Sequence, residues 1–96
     1  MNEHQLLCFL TVSRTLNFSA AARELYCTQP ALSYQIRSLE KELDAALFRR
    51  TTTQVALTEA GRALLGYATH LISLYDEVEA SFQNPDSHGL LRVGAS

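Results

Sequence analysis

The stretch TQPALSYQIRSLE, Thr28 to Glu40, decides the fold. Leu32, Ile36, Leu39 and Leu43 are spaced 4, 3 and 4, which makes one stripe of an amphipathic helix. At about 100° per residue, Pro30, Tyr34, Arg37 and Lys41 fall opposite that stripe, and Ser33 lies on its flank. A merely solvated helix face usually carries Glu and Lys. This face opens instead with Gln, Ser, Tyr and Arg, side chains that hydrogen-bond to planar partners. Thr28 is placed to cap the helix, and Pro30 sits within the first turn, where its missing N–H costs little.

Upstream, Asn2 is a good N-cap, and Gln5 three residues later resembles a capping box. A first helix is predicted from about Glu3 to Arg14, with Leu6, Leu7, Phe9 and Leu10 as its apolar face. RTLNFS breaks the pattern, with Phe18 tucked into the core and Ser19 capping a short helix, AAARELY. The small side chains of Ala20 to Ala22 let a neighbouring helix approach closely. Only YCT connects this helix to the next. A short helix, a tight turn and a longer helix that opens with polar groups form the layout of a helix-turn-helix, whose second helix enters the DNA major groove.

Downstream, the Thr28 helix is expected to end near Asp44. LFRRTTTQVALT, with Thr51 to Thr53 and Val55, favours a short extended hairpin, a wing with Thr52 to Gln54 at its tip. The tip lacks Gly and Asn, so a loop looser than a two-residue primed turn is expected. Thr58 then caps a long helix. Leu57, Gly61, Leu64, Ala68, Leu71, Tyr75, Val78 and Phe82 alternate by 4 and 3, a coiled-coil seam that Leu65 and Ile72 widen. From Thr58 to Gln83 the helix spans about 39 Å, longer than the preceding residues can cover. Its first half is expected to pack on the head and its second half on another copy of the chain. NPDSHG, Asn84 to Gly89, has the composition of a linker, and LLRVGAS reads as the start of a strand whose partners belong to a second domain.

The 96 residues suit one small domain with an appendage, and 47% hydrophobic residues are enough for a core. With 19% charged residues and a net charge of −2, the composition indicates neither disorder nor a broadly basic nucleic-acid binder. Residues 1–62 hold seven Lys/Arg against six Asp/Glu, whereas residues 63–96 hold Arg92 alone against four acids. An anion-binding surface must therefore be a local patch in the first two thirds. Cys8 and Cys27 form no paired motif, which fits a reduced, cytoplasmic protein. No basic-then-apolar leader and no apolar run near the ~18–20 residues of a membrane span is present, so no membrane partner is expected.

FSAAARELYCTQPALSYQIRSLEKEL, LFRR, LTEAG and the closing LLRVGAS, in this order, resemble the N-terminal part of LysR-type transcriptional regulators over nearly the whole chain. The resemblance implies a mainly α fold: a winged helix-turn-helix head followed by a long dimerisation or linker helix. It implies a DNA-binding domain over residues 1–57, with the helix-turn-helix at about 18–37 and the wing at about 48–57. The linker helix follows at 58–83, and 84–96 form a hinge and the first strand of an absent C-terminal effector-binding domain. The implied function is sequence-specific regulation at an inverted-repeat operator, as a homodimer through the linker helix or a tetramer in a longer protein. A small-molecule effector would bind only the absent domain.

Gln29, Pro30 and Ser33 match positions at which the family meets DNA, and Arg50 matches an arginine that reaches the backbone or minor groove beside the wing. The full expected DNA-facing set is Ser19, Thr28, Gln29, Pro30, Ser33, Tyr34, Arg37, Arg50, Thr52 and Thr53. The expected dimerisation set is Leu64, Ala68, Leu71, Ile72, Tyr75, Val78 and Phe82. Three positions depart from the family pattern. Tyr34 stands where Arg is usual, exchanging a guanine-reading fork for one hydroxyl and an apolar ring. The tip TTTQ is neutral where basic residues and Gly are common, and gains less from the negative minor groove. Asp44 replaces the usual Gly at a helix end.

Each feature also has a plainer reading. Gln29, Ser33, Tyr34 and Arg37 on pattern alone suit an ordinary solvated face equally well, and Arg49 and Arg50 are also surface charges. His4 and Cys8, four apart, have no second cluster to complete a metal site, and a structural role is preferred. No nucleophile with a base, no paired carboxylates and no Gly-rich phosphate loop is found, so no enzyme, cofactor or metal is expected. The alternative function is a helical dimeric protein-interaction module that does not bind DNA.

Overall fold

The computed structural model describes residues 1–83. In chain order the elements are α1 (Glu3–Thr15), α2 (Phe18–Glu24), α3 (Gln29–Leu43), β1 (Phe48–Arg50), β2 (Val55–Leu57) and α4 (Glu59–Gln83). The architecture is mainly α, a three-helix head with a two-stranded antiparallel wing and then a long helix. The hinge and strand expected over 84–96 lie outside the described residues.

The Asn2 side chain accepts from the Gln5 N–H at 2.8 Å, so α1 starts at its expected cap. The return half of the capping box does not form. The Gln5 side chain turns inward, 8% exposed, and its Oε1 has no hydrogen-bond partner among the described residues. Leu7, expected on the apolar face, is exposed, and Cys8 takes that place beside Leu6, Phe9 and Val12. Leu7 stands about 200° around the helix from Phe9, which carries it to the opposite side. The helix ends with Leu16 in the left-handed region, φ 51°, its N–H returning to the Val12 carbonyl.

Ser19 does not cap α2. Asn17 does, its side chain accepting from Ala20 N–H at 3.0 Å. The helix therefore starts two residues early and carries Phe18 into the core, edge-on to Phe48 with ring centroids 6.0 Å apart. Phe9 lies 5.5 Å from the same Phe48 ring, so helices and wing share one aromatic cluster. Ala21 and Ala22 are buried, and α2 packs on α1 and α3 through them. The turn closes through Tyr26 N–H to Arg23 O and Cys27 N–H to Ala22 O, with Tyr26 at φ 54° and its ring in solvent.

Thr28 caps α3, accepting from Ala31 N–H at 3.2 Å. Leu32, Ile36 and Leu39 are fully buried, but the stripe stops there: Leu43 is exposed. The chain turns away at Asp44, φ 52°, whose left-handed conformation ends the helix before a fourth stripe position meets the core.

In the wing, Phe48 pairs with Leu57, Arg49 with Ala56 and Arg50 with Val55. The loop beyond is Thr51 to Gln54. Thr51 N–H donates to Gln54 O, while the Thr51 hydroxyl oxygen accepts from the N–H of Gln54 at 2.9 Å and of Thr53 at 3.4 Å. A threonine side chain thus replaces one rung of the ladder, and no residue of the loop has a positive φ.

Thr58 ties the wing to α4. Its N–H bonds Leu47 O, its hydroxyl donates to Ala46 O, and the same oxygen caps Gly61 N–H at 3.0 Å. Gly61 is obligatory here, because a Cβ would overlap the Leu47 carbonyl oxygen and stand 2.8 Å from Leu57 Cδ2. The first half of the seam closes on the head. Ala68 is fully buried, and Leu64, Leu65, Leu71 and Ile72 pack against the core. Beyond Ile72, Leu74, Tyr75 and Val78 are exposed among the described residues.

Candidate nucleic-acid interface

The first turns of α2 and α3 and the wing surround one open cleft of about 420 Å³. Ser19 enters it from α2, Gln29, Ser33 and Arg37 from α3, and Arg50 with the Thr51–Gln54 loop from the wing. Gln29, Ser33 and Arg37 also line a second open depression, on the far side of α3, with Pro30 and Tyr34. Residues common to two adjoining hollows form the crest between them. The crest follows the four-residue row of a helix surface, so a single ridge of amide, hydroxyl and guanidinium projects from α3.

Local physics fixes this ridge. Thr28 is the N-cap, so Gln29 and Pro30 occupy the first turn, where N–H groups have no helical partner. The buried stripe of Leu32, Ile36 and Leu39 turns Ser33 partly and Tyr34 and Arg37 well into solvent. Tyr34 is 68% exposed, with its hydroxyl and ring both available. Thr52 and Thr53 are exposed at the wing tip.

The electrostatics are local, as the charge distribution requires. The cleft is lined by Arg37 and Arg50 and by no Asp or Glu. Arg37 has no carboxylate partner among the described residues. Arg50 is held from two sides. Its guanidinium meets Glu40 Oε1 at 3.3 Å and lies 4.7 Å above the Phe18 ring centroid. One fork of the guanidinium is used; its remaining N–H groups are left for an incoming acceptor. Arg49 alternates off the cleft, exposed and without a carboxylate partner among the described residues.

Glu40 was not expected to matter to the site. Its Oε2 accepts from Leu47 N–H at 2.8 Å and Phe48 N–H at 3.4 Å while Oε1 holds Arg50, so one carboxylate orients the start of the wing and its cation together. Ten residues separate Glu40 from Arg50, and no local pattern links them. Ser19, expected as a cap, instead donates to Gln29 Oε1 at 2.9 Å.

Of the expected dimerisation residues, Leu64, Ala68, Leu71 and Ile72 touch the core of their own chain. Tyr75 and Val78 are exposed, and with Leu71 and Leu74 they line an apolar depression. Leu74 and Tyr67 are exposed apolar residues that the 4-3 seam did not include. Phe82 is 64% exposed. The His4 and Cys8 pair is present, with Nε2 and Sγ 3.7 Å apart, but among the described residues no group of three potential ligands surrounds a metal position. Burial, and secondarily the nearby Cys27, pushes the Cys8 thiol up to about 11, so it is a protonated core residue at neutral pH. Among the described residues no helix is long and apolar enough to cross a membrane.

Comparison with known proteins is consistent in sequence and fold. Residues 4–62 match the family model described as bacterial regulatory helix-turn-helix protein, lysR family. All 96 residues align at 41% identity with the HTH-type transcriptional regulator HdfR of Escherichia coli O139:H28 (strain E24377A / ETEC), of which the chain spans 34%. The crystal structure of full-length CbnR complexed with its target DNA superposes with a TM-score of 0.82 at 31% identity, covering 86% of this chain and 29% of that one. The BenM DBD in complex with catB site 1 DNA superposes with a TM-score of 0.81 at 34% identity, covering 86% of this chain and 93% of that one.

Proposed function

The chain belongs to the lysR family of bacterial regulatory helix-turn-helix proteins, and on that premise we propose that it binds operator DNA sequence-specifically as a dimeric transcriptional regulator. The family is one of regulators and not an enzyme class. The observation that carries the reading is the crest Gln29–Ser33–Arg37, exposed beside a cleft that holds two arginines and no carboxylate. A helix of this kind fits the major groove, and the uncompensated Arg37 supplies the charge that phosphates attract.

Residues 1–57 act as the DNA-binding head and 58–83 as the linker and pairing helix. Arg37 and Arg50 contact phosphates and set the register. Gln29, Ser33 and Tyr34 read base edges. Ser19, Thr28 and Pro30 border the contact from the helix starts, and Thr52 and Thr53 lie along the backbone as neutral wing residues. Two copies pair through the far half of α4, by Leu71, Leu74, Tyr75 and Val78, and present two heads to an inverted repeat. The chain spans about a third of the length of the curated relatives it matches. A small-molecule effector and assembly to tetramers would belong to a protein of the relatives' length, and the place of action is the cytoplasm.

Selection of duplexes from a random pool at two salt concentrations tests the reading. An enriched inverted repeat that survives the higher salt is expected. Binding that vanishes with salt and ranks no sequence above another would overturn it in favour of a helical protein-interaction module.

A further inference from the structure

We infer that Ser19 is a positioning residue that fixes the base preference of Gln29, making it a hydrogen-bond donor to guanine or thymine and not an adenine reader. The inference rests on the DNA-binding reading above and deepens it. Its basis is one contact between the two helix starts: the Ser19 hydroxyl donates to Gln29 Oε1 at 2.9 Å.

Both ends of this contact are anchored by caps. Asn17 holds the first turn of α2 through Ala20 N–H, and Thr28 holds the first turn of α3 through Ala31 N–H. Ser19 is the second residue of α2 and Gln29 the first of α3, and the two side chains meet at the mouth of the cleft. A glutamine amide is planar, with oxygen and nitrogen on opposite branches. Pinning Oε1 on Ser19 sends Nε2 away from it. Gln29 Nε2 has no protein partner among the described residues, so both of its hydrogens remain for a ligand.

The chemistry of base edges then decides the preference. Reading adenine by a bidentate pair requires the amide to give a hydrogen to N7 and to accept one from N6, with oxygen and nitrogen facing the base together. Gln29 held by Ser19 turns Nε2 outward while one of the two lone pairs of Oε1 is already taken, so the donor is the branch most available to a base. In the major groove guanine presents two acceptors, N7 and O6, and thymine presents O4, whereas adenine sets its one acceptor, N7, beside the N6 donor, so an outward donor matches guanine or thymine better. Removing the Ser19 hydroxyl frees the amide to rotate, and the bidentate adenine pair becomes available.

The experiment compares the 96-residue chain with its Ser19→Ala, Ser19→Thr and Gln29→Ala variants, each used to select duplexes from one random pool. Gln29→Ala identifies the base pair that Gln29 reads, as the position at which preference flattens. At that position the unaltered chain is expected to select guanine or thymine. Ser19→Ala is expected to shift the ratio toward adenine by about tenfold, the order of one added base contact. Ser19→Thr, which keeps the hydroxyl, is expected to preserve the original ranking. If Ser19→Ala weakens every sequence alike and leaves the ranking at that position intact, Ser19 is a phosphate contact and the positioning role is wrong. Adenine at the Gln29 position in the unaltered chain would equally overturn it. A pool in which no variant enriches any sequence removes the DNA-binding reading itself, and the inference with it.

Discussion

Glu40 and Arg50 meet at 3.3 Å across the gap between the end of α3 and the wing, and the other oxygen of the same carboxylate accepts from Leu47 N–H at 2.8 Å. The two side chains are 18% and 29% exposed respectively, so the pair is only partly screened by water. The wing is thereby hung from the helix that faces DNA.

Glu40→Ala should destabilise the fold by about 1–3 kcal/mol, chiefly by leaving the Leu47 N–H without an acceptor. In a domain of this size each kcal/mol lowers Tm by roughly 4–8 °C. Glu40→Gln keeps a neutral acceptor for Leu47 and loses only the attraction to Arg50, so its Tm should lie between the two. Equal losses in both variants would show that the ion pair, and not the backbone acceptor, holds the wing.

Arg50→Ala should weaken binding to every duplex by a similar factor and flatten the dependence of log K on log salt by about one. The order of preferred sequences should not change, because phosphates carry no sequence. Titrations over a salt series check this. An unaltered slope would confine Arg50 to its contacts with Glu40 and Phe18.

The two described glycines of α4 should respond in opposite directions. Gly61→Ala drives a methyl into the Leu47 carbonyl, a backbone atom that cannot step aside, and should cost about 1–3 kcal/mol or more. Gly66 has nothing within 4 Å of a built Cβ, so Gly66→Ala should stabilise the helix by up to about 1 kcal/mol. Thermal unfolding of both variants decides it. A loss of stability at Gly66 would reveal a close neighbour there, such as the helix of a second copy.

Cys8 should make stability fall in alkali. Its thiol is raised to about 11 in the folded chain, so below the ordinary thiol pKa of about 8.5 it is protonated in both states and its contribution is complete. As pH climbs from there toward 11, the unfolded thiol ionises and the folded one does not. Stability should decline, at a slope of at most about 1.4 kcal/mol per pH unit from this group. Cys8→Ala should remove that component, which denaturant unfolding between pH 8 and pH 10.5 can measure as a difference in slope. Identical slopes would mean that the thiol reaches solvent before the chain unfolds.

By itself the sequence determined the parts that depend on near neighbours. The caps at Asn2, Thr28 and Thr58, the proline in the first turn of α3 and the left-handed stop at Asp44 act within a few residues and are found where the pattern puts them, and the helix periods hold except at Leu7 and Leu43, which are exposed. The exposed face of Tyr34 and Arg37 follows from the same periodicity, because the stripe opposite it is buried. Tertiary structure decided which competing local signals prevail. Asn17 displaced Ser19 as a cap because an earlier start takes Phe18 to Phe48, and Cys8 displaced Leu7 because the head lies on only one side of α1. It alone joined Ser19 to Gln29 and Glu40 to Arg50, each pair ten residues apart. Such contacts depend on how helices cross, and crossing is set by the summed packing of the core, which no short window of sequence contains.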